Sequence, residues 1–284
     1  MAFNDGFFLV LVIAICYAVA FYLGNPSILY IGIVFALVMN VGSYWFSDKL
    51  VLRMTNAKPV AKQDAPELYN IVENLAITAG LPMPKVYIVE DAAPNAFATG
   101  RNPEHAVVAV TTGLLAILDR NELEGVVAHE MAHIGNRDML VMTVAVVLAG
   151  FVAIIADFFS RALMFGGGDR DNKAGILFLI LGIVGIILAP IAAQLMQMAI
   201  SRRREYLADA TGALLTRYPE GLASALEKIS SYSGQMKSAS HATAHLFISD
   251  PYGKQQRSIG QRLGALFQTH PPASDRIRLL REMS

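Results

Sequence analysis

The chain has 284 residues, 54% of them hydrophobic and only 16% charged, with 23 basic side chains balanced by 23 acidic ones. A net charge of zero leaves no electrostatic footprint for nucleic acid or another polyanion. The single cysteine, Cys16, permits neither an intramolecular disulfide nor a cysteine-built zinc cage.

The apolar residues are gathered into four runs, Phe7–Leu23, Ser27–Phe46, Met139–Phe159 and Gly175–Ile200. A helix needs about 20 apolar residues to cross a bilayer, and three of the runs reach or approach that length. Gly24-Asn25-Pro26 breaks the first two, which suits a helical hairpin over 1–46. Ala18-Val19-Ala20 resembles a signal-peptide cleavage site. The opening MAFND carries no Lys or Arg and a second run follows at once, so a retained anchor is the expectation.

After the second run come Lys49, Arg53, Lys58 and Lys62, and after the fourth Arg202, Arg203 and Arg204. The positive-inside tendency places both flanks in the cytoplasm and the glycine-rich SRALMFGGGDRDNK loop outside. Residues 47–138 read as a mixed α/β unit. APELYNIVENLAITAG predicts a helix ending at Gly80, and KVYIVE and HAVVAVTTG predict strands around the turn-prone DAAPNAFATGRNPE. NELEGVVAHEMAHIGNR predicts a helix with Asn121 as its cap, and Glu122 and Glu124 suit its positive end. Residues 139–200 form a second hydrophobic hairpin, and 201–284 read as broken helices.

The HEMAH stretch carries the chemistry. Residues four apart share a helix face, so His129 and His133 can offer two imidazoles to one ion. Glu130 is turned about 100° from His129, too far round to crowd in as a ligand but able to reach a water on the metal. Zinc held this way lowers the pKa of its water to about 7. Glu130 would take that proton as general base and pass it to the leaving amine. A catalytic zinc takes three protein ligands and keeps one position open. The H-E-x-x-H-x-x-G-x-x-H pattern is excluded, because Asn136 and Met139 stand where it needs glycine and histidine. SRRREYLADATGALL offers Glu205 as the third ligand. Asp209, four residues on, can accept the other ring N–H of a ligand histidine. Two runs lie between His133 and Glu205, so the chain returns to the membrane face it left.

HEMAHIGNRD, PNAFATGR, SRRREYLAD and the terminal THPPASDRIRLL, together with the two apolar runs between the ligand segments, resemble the HtpX-type membrane zinc metallopeptidases, relatives of the prenyl-protein (CAAX) endopeptidases. The resemblance covers nearly the whole chain. It implies a gluzincin-type α+β peptidase domain, built from 47–138 and 201–284, on an α-rich membrane protein with four hydrophobic helices. His129, His133 and Glu205 match the zinc ligands, one ion per chain, Glu130 the catalytic glutamate and Asp209 the aspartate of E-x-x-x-D. The implied activity is internal cleavage of misfolded or damaged membrane proteins by a multi-pass protein of the bacterial inner membrane, with its site facing the cytoplasm.

Further candidates carry less signal. Asn95, Ala96, Phe97 and Ala98 read either as an extended edge that pairs with substrate or as a plain hairpin turn. His245 and His270 are candidate donors to the tetrahedral oxyanion, and Arg202 is a transition-state donor or a juxtamembrane anchor. Two readings compete with a peptidase at the membrane surface. Cleavage within the bilayer is disfavoured by the charges flanking HEMAH, namely Glu122, Glu124, Arg137 and Asp138. A non-enzymatic scaffold or metal carrier would make Glu130 expendable.

Overall fold

A computed structural model describes residues 48–139, 202–237, 246–249 and 271–283, with 142, 243 and scattered positions before 48. Almost all of the four apolar runs lie outside the described residues, as do His245 and His270. Among the described residues no helix is long and apolar enough to cross a membrane. The backbone divides into two compact units, Met1–Ser47 and Asp48–Ser284, and the second holds every element that positions the site.

Helix α1, Pro66–Ala79, buries Leu68, Ile71, Val72, Leu75 and Ala76 at helical spacing. It ends where Gly80 adopts φ 65, a left-handed conformation that glycine enters without a Cβ clash. Four strands make one sheet in the order β1-β2-β4-β3. β1 is Lys58–Pro59, β2 Lys85–Val89, β3 Ala96–Thr99 and β4 Val107–Thr111. β2 and β4 run parallel, while β3 is antiparallel to β4. DAAPNAFATGRNPE is therefore not all turn: its centre is an edge strand.

Alternation along the strands divides the core in two. Val86, Ile88, Ala96, Ala98, Val108 and Val110 pack with the helices on one face. Tyr87, Val89, Phe97 and Ala109 pack on the other with Val51, Met142, Met236, Leu246 and Phe247. Alanine at both 96 and 98 keeps that side of β3 thin, so a helix can lie close against it.

That helix is α3, Arg120–Gly135, which follows the short α2, Thr112–Ile117. The cap is Asp119 rather than Asn121. Asp119 and Glu122 form a capping box, each carboxylate accepting the other's backbone N–H at 3.0 and 2.8 Å. Asn121 falls inside the first turn, where its side chain is exposed. Glu122 has a second role, because Lys228 also donates to it at 2.6 Å.

Helices α4, Arg202–Thr216, and α5, Pro219–Ser231, pack on α3, and α6, Ala273–Arg281, packs on α5. The approach of α4 depends on Gly212. A Cβ there would stand 3.0 Å from the His129 backbone nitrogen, so any larger residue pushes the two helices apart. Glycine at 212 thus lets Glu205 and Asp209, earlier on α4, reach the middle of α3.

Candidate metal centre

His129 and His133 lie one turn apart on α3, both buried, their rings meeting edge to face with centroids 4.8 Å apart. Their Nε2 atoms face each other at 3.2 Å. The buried Glu205 carboxylate completes a triangle, 3.7 Å from His129 Nε2 and 3.6 Å from His133 Nε2. A tetrahedral zinc with bonds of about 2.0–2.1 Å holds its donors about 3.3 Å apart, so this set fits the ion. The three residues form a cluster of metal-binding type among the described residues.

The ring nitrogens turned away from the triangle are held as well. His129 Nδ1 lies 2.9 Å from Asp209 Oδ1, and His133 Nδ1 lies 3.3 Å from Asp138 Oδ2. With each Nδ1–H donating to its aspartate, both Nε2 atoms present lone pairs to the same point, and a cation between them relieves the repulsion. In the sequence Asp138 reads only as a flanking charge. It reaches back because α3 ends at Gly135 and Arg137 takes φ 59, a left-handed step that reverses the chain. Arg204 then donates to Asp138 at 2.7 Å.

Burial and charge set the protonation of the cluster. Burial pushes the His129 imidazole down to about 4, and the Arg276 charge beside it adds to the fall. Burial would lower His133 too, but the Asp138 hydrogen bond and the Glu205 and Glu130 carboxylates raise it above the usual value. For Asp209 burial pulls upward, yet the Arg276 guanidinium and His129 hold it well below the carboxylate range. Glu130 is almost wholly buried and is lifted to about 7, even though it accepts the backbone N–H of Ala98.

That lift makes Glu130 a destabilising group when ionised. A carboxyl raised on folding contributes stability that is fully present below its unfolded value and lost as pH rises through its folded one. Here the window runs from 4.5 to about 7, and the loss approaches about 3 kcal/mol. Metal-free Glu130→Gln should therefore melt well above metal-free wild type at pH 8, with most of the gap closed at pH 5. Titrating groups remote from Glu130 are common to both proteins and cancel in the comparison, while His133, which the Glu130 carboxylate helps to raise, loses that support in the variant. Thermal scans in detergent with chelator would show this, and equal melting temperatures at both pH values would rule out the buried, strained carboxyl.

The remaining candidates divide between the edge of the sheet and the surface. Ala98 turns its N–H to Glu130, and Ala96 turns its carbonyl outward, where it accepts from Ile248 N–H at 3.1 Å. Asn95 is buried and tied to the same segment: its Nδ2 donates to Ser249 O at 3.2 Å and its Oδ1 accepts Ser249 N–H at 3.3 Å. Phe97 points to the opposite face of the sheet and meets Phe247 edge-on at 5.4 Å. Arg202 is exposed at the first residue of α4, outside the buried cluster. His245 and His270 lie outside the described residues. The residue that sequence patterns pass over is Arg276, which is 2% exposed and bonded to Asp209.

Residues 62–284 match the model of Peptidase family M48. The chain is 53% identical over 266 residues to "Protease HtpX homolog" of Syntrophobacter fumaroxidans, covering 92% of this chain and 91% of that one. It is 50% identical over 268 residues to the protein of the same description from Pyrococcus furiosus, covering 94% and 90%. Among solved structures, Ste24p of S. mikatae superposes with a TM-score of 0.49 at 18% identity, over 88% of this chain and 57% of that one.

Proposed function

The chain belongs to peptidase family M48, and from that premise we propose a membrane-anchored zinc endopeptidase that cleaves internal bonds of misfolded or damaged membrane proteins. The observation that carries the reading is the convergence of His129 Nε2, His133 Nε2 and the Glu205 carboxylate on one point, with Glu130 buried beside them. One zinc ion held there would supply Lewis acidity, polarising the scissile carbonyl and acidifying water near neutral pH.

The chain's own residues do the rest. Glu130 takes a proton from the attacking water and delivers it to the departing amine, both transfers being within reach of a carboxylate placed beside the ligand set. Asp209 and Asp138 hold the two imidazoles in the tautomer that leaves Nε2 free. An extended substrate would pair with the outward edge of β3. Because Ile248 already occupies the Ala96 carbonyl and Glu130 accepts the Ala98 N–H, pairing would start at the Ala98 carbonyl. Backbone pairing gives affinity with little demand on side chains, which suits a peptidase that meets many unfolded sequences. The apolar runs at 1–46 and 139–200 would anchor it in the bacterial inner membrane, with the site on the cytoplasmic face.

A metal carrier has no use for Glu130. Burying a carboxyl against the Glu205 carboxylate works against stability, and a peptidase gains a proton shuttle in exchange. The test uses the full chain in proteoliposomes with an unfolded membrane protein and its folded counterpart. Cleavage confined to the unfolded form, abolished by chelator and restored by zinc, supports the proposal. Cleavage indifferent to chelator, or equal on both forms, would overturn it.

A further inference from the structure

We propose that Arg276 is a positioning residue of the metal centre, acting through Asp209 to hold His129 in its ligating orientation; this rests on the metal-site reading above. Arg276 lies on α6, the C-terminal helix, 147 residues from His129. Its guanidinium grips Asp209 with two teeth, Nε to Oδ2 at 2.8 Å and Nη2 to Oδ1 at 2.6 Å. Asp209 Oδ1 in turn lies 2.9 Å from His129 Nδ1. The remaining arm, Nη1, donates to the Ile248 carbonyl at 3.2 Å.

Geometry explains the need for this arm. Asp209 is buried, its Oδ1 is shared between His129 and Arg276, and its Oδ2 accepts from Arg276. A carboxylate held at one oxygen alone can rotate about its last bond, and the imidazole would follow it. A planar fork on two oxygens removes that freedom. Arg276 is itself fixed from outside the site. Ile277 and Leu280 pack α6 into the core, and Arg281 ties it to Glu220 and Glu227 on α5 at 3.1 and 2.8 Å. His133 has the parallel chain Asp138–Arg204, but the Arg204 side chain is 35% exposed against 2% for Arg276. Water can stand in for Arg204. On the other side Arg276, Asp209 and His129 are all buried, so the loss of that arm is the one that is felt.

The experiment measures zinc affinity by chelator competition on the full chain in detergent, with metal-free melting as a separate readout. Arg276→Met should weaken zinc binding about 10–100-fold, the range for residues that orient ligands from behind. Arg276→Lys should recover only part of that, since one ammonium cannot reproduce the fork. Asp209→Asn combined with Arg276→Met should lose far less than the product of the two single losses, because both changes break one chain of contacts, the direct approach of Arg276 Nη1 to Glu205 Oε2 at 4.0 Å lying outside it. The pair also removes both buried charges together, so it can be measured if Arg276→Met alone does not fold. Wild-type affinity in Arg276→Met, full recovery by lysine, or losses that multiply in the pair would each overturn the inference. Glu205→Ala run alongside separates the two readings. If it binds zinc as wild type does, the metal-site reading itself fails. If it loses zinc while the Arg276 variants keep it, only this inference does.

Discussion

Glu130→Gln is expected to keep its zinc and lose hydrolysis. Glutamine has the same shape and an oxygen that can still accept from Ala98 N–H, so α3 and the ligand imidazoles stay in place. What it lacks is a site for the proton that must leave the attacking water. General-base assistance contributes about 10²–10⁴ in rate, so kcat should fall by about that factor. KM should change little, because the β3 edge is untouched. The measurement is turnover of an unfolded membrane substrate, with metal content determined on the same samples. A variant with full zinc and a kcat within about threefold of wild type would remove Glu130 from the proton transfers. The same substitution is expected to raise metal-free stability at pH 8. Activity and stability would thus move in opposite directions, as they do where a group is held in a costly setting for function.

Glu205→Ala should abolish stable zinc binding. The change removes one of three protein donors and leaves His129 and His133 facing each other across 3.2 Å. Loss of a direct ligand should exceed the roughly 10–100-fold seen for residues that only orient ligands, so purified protein should come out nearly metal-free. Glu205→Asp serves as the companion. It keeps the charge but withdraws the oxygens by one methylene, and should bind zinc weakly rather than not at all. Metal analysis after dialysis against a weak chelator reads both. Zinc at one per chain in the alanine variant would mean that α4 does not supply the third ligand.

Parts of this molecule follow from short-range pattern alone. Four-residue spacing puts His129 and His133 on one helix face whatever surrounds them, and a glycine after a helical apolar stripe stops α1 at Gly80. The strands β2 and β4 are legible from their β-branched runs. Even locally a competing signal can win: Asp119 with Glu122 makes a reciprocal cap that Asn121 cannot, and the helix starts at Arg120, ahead of the expected cap.

Glu205 is reachable by argument, because two runs that each crossed a bilayer would return the chain to its starting side. Its distance from the imidazoles is a matter of packing, decided where Gly212 lets α4 close on α3. Asp138 depends on a left-handed step at Arg137. Arg276, which braces α3, lies 67 residues from Asp209 and 147 from His129, and Ile248, which braces the β3 edge, lies more than a hundred from Ala96. Periodicity records which side of a segment is buried. It carries no information on what buries it, and a buried arginine reads locally as one more charge on a short helix until the fold supplies its carboxylate.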